Sequence, residues 1–246
     1  MTAAGPGWLA RREAEVPAGD DWLTGPERRT LGALHVPKRR ADWRLGRWTA
    51  KEAVRATLGR QAPGHDAIEI RPASDGAPEA WIDGEPAPLC LSITHRSARA
   101  VAAVVAPGVS VGCDLELVEA RRGVFLEDFF TTDEVAAVRR AARESPDRVE
   151  AELVTRLWAA KEAALKTLRE GLRIDTKRLE VEPPVSATRG AGVAVAPVAA
   201  RSPAWEPIAI LVRVDTDRRL HGWWRAIWDM VLVVVTDPPA SEPRAL

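Results

Sequence analysis

The chain has 246 residues, 46% of them apolar, and its 35 basic side chains balance 35 acidic ones. That is enough for one large domain or two small ones, and zero net charge excludes a polyanion binder by bulk electrostatics and disfavours the basic stripe on which nucleic-acid binders rely. The longest apolar run, MVLVVV at 230–235, falls far short of the roughly 20 residues that a membrane-spanning helix needs.

Cys90 and Cys113 lie in apolar stretches with no metal-ligand spacing, and the first 22 residues contain no apolar core of signal-peptide length. Both features lead to the expectation of a reduced, cytoplasmic protein with no membrane or nucleic-acid partner.

In chain order, the first strong element is a helix around RWTAKEAVRATLG, from Arg47, entered through the densest basic stretch of the chain, VPKRRADWRLGR at 36–47. Gly59 marks its C-terminal end. Short strands follow at AIEIRP, EAWID, PLCLSI, ARAVAAVVA and VSVGCDLEL, separated by Gly- and Pro-containing turns. FFTTDEVAAVRRAAR then starts a helix, with Thr131 or Thr132 as N-cap and Asp133 and Glu134 in its positive first turn. A linker at Ser145–Pro146 leads to LWAAKEAALKTLREG, which Gly171 caps or interrupts. Aligning Trp48 with Trp158 gives W-x-A-K-E-A-x-x-x-T-L twice, 110 residues apart. The second copy is followed by strands at KRLEVE, IAILVRV, HGWWRAIW and MVLVVVTD, with a low-complexity loop at 183–207.

A repeat this long points to two related halves rather than a solenoid. The expected fold is α+β, with two pseudosymmetric halves, each a long helix packed on a small, mostly antiparallel sheet. The boundaries are 1–107 and 108–236, and 237–246 has the composition of a flexible tail. Only five residues are lysine (Lys38, Lys51, Lys161, Lys166 and Lys177), and three of them lie in the two echoing helices.

On the strand at 110–117, alternation puts Val111, Cys113, Leu115 and Leu117 on one face and Gly112, Asp114 and Glu116 on the other. Adjacent carboxylates on a sheet repel unless a cation or a basic group separates them. Their hard oxygens suit Mg²⁺; the plain alternative is a solvated strand whose acids pair with Arg121 or Arg122. Glu162 would add a third carboxylate, although Glu162 and Lys166 also have the i,i+4 spacing of an ordinary surface ion pair. His95, in LSITHR, sits among hydroxyl and basic neighbours that suit an anion. Carboxylates, lysines and a phosphate are the components of metal-assisted phosphoryl transfer.

Taken together, LSITHR, VGCDLELVEARR, DFFTTDEVAAV and LWAAKEAALKTLREGL resemble the 4′-phosphopantetheinyl transferase superfamily, of its longer, surfactin-synthetase-like (Sfp-like) type. The resemblance implies transfer of the phosphopantetheine arm of coenzyme A to a serine of an apo acyl or peptidyl carrier protein, with release of adenosine 3′,5′-bisphosphate. By the same resemblance Asp114, Glu116 and Glu162 would hold Mg²⁺, and Glu162 and Lys166 would be catalytic. His95, Lys161, Lys166, Arg47, Lys51, Arg44, Lys38 and Arg39 would contact coenzyme A. A pseudodimeric chain implies a monomer. The chain departs from the family pattern where THR replaces S-H-S around His95, and where Ala77 follows Gly76 in place of a basic residue. A coenzyme A-binding module without catalysis and a metal-dependent nucleotide phosphoesterase are the alternatives built from the same residues.

Overall fold

The computed structural model describes residues 3–121, 123–144, 148–182, 204–214 and 217–246. The chain opens with strand β1 (Gly7–Arg12), helix α1 (Gly25–Gly32) and the long helix α2 (Pro37–Leu58). Five strands follow: β2 (Ile68–Pro72), β3 (Pro78–Ile82), β4 (Glu85–Pro86), β5 (Cys90–Arg96) and β6 (Arg99–Val105). After β7 (Ser110–Leu117) come helices α3 (Gly123–Phe129), α4 (Thr132–Glu144) and α5 (Arg148–Leu168). The chain ends with β8 (Leu179–Val181), β9 (Glu206–Arg213), β10 (Asp217–Ile227), β11 (Met230–Asp237) and β12 (Arg244–Ala245).

The strands form three sheets, ordered β12-β1-β6-β5, β7-β11-β10-β9-β8 and β2-β3-β4. Apart from the parallel β1–β12 pair, every pairing is antiparallel, so the α+β class expected from the sequence is what the structure has. Each expected strand from β2 onward is present where the described residues cover it. Strand β1 is an addition to the sequence expectation, so each long helix is preceded as well as followed by sheet. The Ser145–Pro146 linker and most of the 183–207 loop lie outside the described residues.

The two larger sheets pack their apolar faces together. Val101, Ala103 and Val105 of β6 meet Val111, Cys113 and Leu115 of β7 and Leu232 and Val234 of β11 in one buried cluster. Burial pushes the Cys113 thiol up to about 11, so it stays protonated and acts as a small packing residue. On the outer face of the first sheet, Ala50, Ala53 and Val54 of α2 cover Leu9, Ala102 and Val104. On the outer face of the second, Ala159, Ala160, Ala163 and Ala164 of α5 cover Val231, Val233 and Val235. With both faces covered, β11 is a continuous apolar run rather than an alternating one.

The expected flexible tail is ordered instead. Arg244–Ala245 pairs with Gly7–Trp8, and the backbone N–H of Leu246 donates to Trp8 O at 3.0 Å. Composition alone does not reveal this, because the order comes from β1, a free edge whose N–H and C=O groups need partners. Among the described residues, no helix is long and apolar enough to cross a membrane.

Candidate active site

The site forms where β5, β7 and α5 meet. Strand β5 has Ser92 and Thr94 facing the edge of β7. The Cys113 N–H donates to Ser92 Oγ at 3.0 Å, and the Leu115 N–H donates to Thr94 Oγ1 at 3.1 Å. These hydroxyls satisfy buried amides that no neighbouring strand reaches. They also explain why LSIT alternates polar and apolar residues although Leu91, Ser92 and Thr94 are all buried.

Gly112 sets the height of α5 above β7. A Cβ built there would lie 2.0 Å from Ala163 O and 2.6 Å from the Thr167 amide nitrogen. Only glycine permits so close an approach of helix backbone to strand. The approach brings α5 side chains over the next residues of β7 on the same face, Asp114 and Glu116.

Lys166 donates to Asp114 Oδ1 at 2.8 Å and to Cys113 O at 3.0 Å, and Thr94 Oγ1 donates to the same Asp114 oxygen at 3.2 Å. The surface pair expected between Glu162 and Lys166 is replaced by this cross-element bridge, because the helix lies close enough for the lysine to reach the strand. Asp114 Oδ2 is buried with no hydrogen-bond partner. Glu116 accepts from Trp158 Nε1 at 3.2 Å through one oxygen and from Arg121 Nη2 at 3.0 Å through the other.

Burial, and then the nearby Asp114 charge, raise the carboxyl pKa of both Glu116 and Glu162; Arg121 opposes this at Glu116, and Lys166 at Glu162. Burial pulls the Lys166 ammonium down, but Asp114 more than compensates and holds it above its ordinary value. Two destabilised carboxylates and an orphaned buried oxygen are the features that an added cation would relieve. The donor chemistry therefore fits a hard divalent ion. Lys166 and Arg121 already hold two of the carboxylates, however, and among the described residues no group of three such side chains stands ready to hold a metal.

On the far side of β5, His95 is an exposed residue beside α2. Gly46 is the close point of that contact, where a Cβ would lie 3.6 Å from Ile93 Cγ2 and 4.0 Å from the His95 ring. Desolvation lowers the His95 pKa; Asp42 opposes this, while Lys166, Lys38 and Arg47 reinforce it. The Arg47 guanidinium lies 4.9 Å from the Trp43 ring centre, with its buried Nε unpartnered. Lys38 is exposed and pairs with Asp42 at 2.5 Å, and Arg39 is exposed on the same helix. Lys38 and Arg47 therefore both lie close enough to act electrostatically on the His95 ring.

Three expected coenzyme A contacts are corrected. Lys51 and Lys161 are 0% exposed and fully engaged, because a buried ammonium needs a counter-ion and acceptors around it. Lys51 donates to Glu27 Oε2 at 2.5 Å, Trp22 O at 2.9 Å and His65 O at 3.0 Å. Lys161 pairs with Glu134 Oε2 at 2.7 Å and donates to Phe129 O at 3.2 Å and Thr176 O at 2.9 Å. Arg44 is tied to Asp20 and to the carbonyls of Pro17, Ala18 and Gly19.

Sequence reasoning misses Glu27, the partner of Lys51, and gives Glu134 only a helix-end role. The signal is nonetheless present. Thr24-x-x-Glu27 and Thr131-x-x-Glu134 are both capping boxes, with reciprocal bonds of 3.0–3.3 Å in the first and 2.8–3.2 Å in the second.

Residues 110–193 match the family model ACPS, the 4′-phosphopantetheinyl transferase superfamily. The superfamily resemblance read from the motifs stands, and the match covers β7 through α5, which carry Asp114, Glu116, Glu162 and Lys166. A solved structure, the holo-[acyl-carrier-protein] synthase (AcpS) of Thermotoga maritima, is 21% identical, covering 52% of this chain and 76% of its own, with a TM-score of 0.33. No curated protein matches the chain.

Proposed function

We propose that the protein is a phosphopantetheinyl transferase. It would move the phosphopantetheine arm of coenzyme A onto a serine hydroxyl of an apo acyl or peptidyl carrier protein. The observation that carries this reading is the Lys166–Asp114 bridge at 2.8 Å within the segment that matches the superfamily, with Glu162 one turn before Lys166 on the same helix.

In the balanced reaction, the serine oxygen forms a bond to the phosphorus that bears pantetheine. The phosphorus–oxygen bond to the other phosphate breaks, and adenosine 3′,5′-bisphosphate leaves. A serine hydroxyl is a poor nucleophile until a base takes its proton. Glu162, whose raised pKa marks a carboxylate ready to accept a proton, is the base. Lys166, held charged by Asp114, neutralises the pyrophosphate as charge shifts to the leaving group. His95, Arg47 and Lys38 receive the phosphates on the adenosine side, with Arg39 on the same helix at the rim. With Arg121 released from Glu116, Asp114 through its unpartnered Oδ2, Glu116 and Glu162 would hold Mg²⁺, which supplies charge neutralisation on the diphosphate.

The protein acts as a cytoplasmic monomer in this reading, of the longer Sfp-like type, with halves at 1–107 and 108–236. The matched hydrogen bonds of Lys51 and Lys161 support the two-half division.

Incubation with coenzyme A, Mg²⁺ and a panel of apo carrier proteins tests the proposal. A carrier that gains the mass of one phosphopantetheine group supports it. Binding without modification would favour the non-catalytic module, and bisphosphate release without any carrier would favour a phosphoesterase.

A further inference from the structure

We infer that Lys161 is a positioning residue that sets Glu162 against Asp114, a role that rests on the transferase reading above. Lys161 immediately precedes Glu162 on α5, so any rotation of the helix that displaces one displaces the other. Its ammonium is held from three separate segments, by Glu134 at the start of α4, by Phe129 O at the end of α3, and by Thr176 O after α5. The acceptors are themselves fixed. Glu134 Oε1 takes the Val181 amide of β8 at 2.9 Å, and Thr176 Oγ1 donates to Phe129 O at 3.0 Å. On its strand side α5 rests on Gly112. Helix α5 is therefore clamped at two points, and Glu162 and Lys166 face β7 between them.

The other half contains the same clamp. Lys51 holds Glu27 and two carbonyls, and Glu27 Oε1 takes the Ile70 amide at 3.0 Å. There the clamped helix presents Glu52 to Arg11 at 3.2 Å and to His65 at 2.5 Å. Lys51 is thus a built-in control for what the clamp contributes to folding alone.

The test compares K161M, E134Q and K51M in the full chain. Melting temperature, kcat, KM for coenzyme A and Mn²⁺ affinity by titration calorimetry are measured for each. A misplacement near 1 Å costs about 10²-fold in rate. K161M is expected to lower kcat by about that factor, with KM for coenzyme A changed less than about threefold, and to weaken Mn²⁺ binding about tenfold. K51M and K161M are expected to lower the melting temperature by similar amounts, and K51M to leave kcat within about threefold. E134Q keeps the side-chain shape and gives a smaller kcat loss, so it still reads out if K161M fails to fold.

A rise in KM for coenzyme A at unchanged kcat in K161M would overturn the inference and make Lys161 a ligand contact. Equal kcat losses in K161M and K51M would overturn it in favour of a purely structural role. Were the wild type to modify no carrier, the transferase reading would fail by itself. The Mn²⁺ affinities of K161M and wild type would then still decide whether Lys161 positions the carboxylates.

Discussion

The two long helices carry the same K-E-A sequence, yet their glutamates stand in opposite electrostatic settings. Both are clamped from below by a buried lysine and a capping-box glutamate. Above Glu52, β1 presents Leu9 and Arg11; above Glu162, β7 presents Asp114 and Glu116. Burial pushes Glu52 up, but bonds from His65 and Arg11 outweigh it, and its carboxyl sits below the ordinary value. Glu162 has burial and Asp114 both acting against ionisation and sits above it. One helix sequence therefore yields a carboxylate satisfied by basic partners on α2 and one opposed by burial and a like charge on α5. The facing strand makes the difference.

The largest expected effect is on turnover. Glu162→Gln should lower kcat about 10³-fold, within the range for loss of a general base, with little change in KM for coenzyme A. Glu52→Gln should leave kcat within a few-fold. Carrier mass spectrometry over time measures both, and equal losses would break the comparison.

Next is the helix–strand approach. Gly112→Ala forces a methyl group onto backbone atoms and should cost about 3 kcal/mol along with most activity, read by thermal melting and kcat. Gly46→Ala, with its nearest neighbours at ordinary contact distance, should change stability by less than about 1 kcal/mol.

A smaller effect concerns coenzyme A binding. Desolvation lowers the His95 pKa, and protonation would add positive charge at the proposed coenzyme A site. KM for coenzyme A should therefore fall as pH drops below the ordinary imidazole range. His95→Gln should raise KM about tenfold near pH 5, the loss of one charge-assisted contact, and abolish this pH dependence, which a KM profile from pH 5 to 8 would show.

The smallest effect is on stability and has opposite signs on the two long helices. Glu52, with a lowered folded pKa, contributes stability above its unfolded value, and that contribution is lost as pH falls through the folded one. Glu52→Gln should lower the melting temperature at pH 7. For Glu162 the folded pKa is raised, so the wild type loses stability as pH rises from the ordinary carboxylate range through that value. Glu162→Gln should raise the melting temperature at pH 7, by about 2 °C if the relief is near 1 kcal/mol. Melting curves of both variants at pH 5 and pH 7 check the signs.

Much of the site is legible in the sequence. Period-two alternation places Asp114 and Glu116 on one face of β7, and the helical repeat places Glu162 and Lys166 where they can meet that face. The roles of the lysines are not legible. A lysine in an amphipathic helix is charged whether it faces water or a buried carboxylate, and only its partners distinguish the two. The family resemblance therefore groups Lys51 and Lys161 with phosphate ligands, although the capping boxes at Thr24 and Thr131 mark the carboxylates that hold them. The tail misleads for a related reason. Its composition is that of a loop, and its order comes from a strand edge at the other end of the chain.

The sequence by itself determined the α+β class, the repeated helices and the acidic strand, because periodicity, turn residues and capping boxes are local properties. Which glutamate is paired with basic groups, which lysines are buried and where the tail goes were decided only in the tertiary structure. Those outcomes depend on burial and on charges brought together from segments far apart in the chain, which the local pattern does not encode.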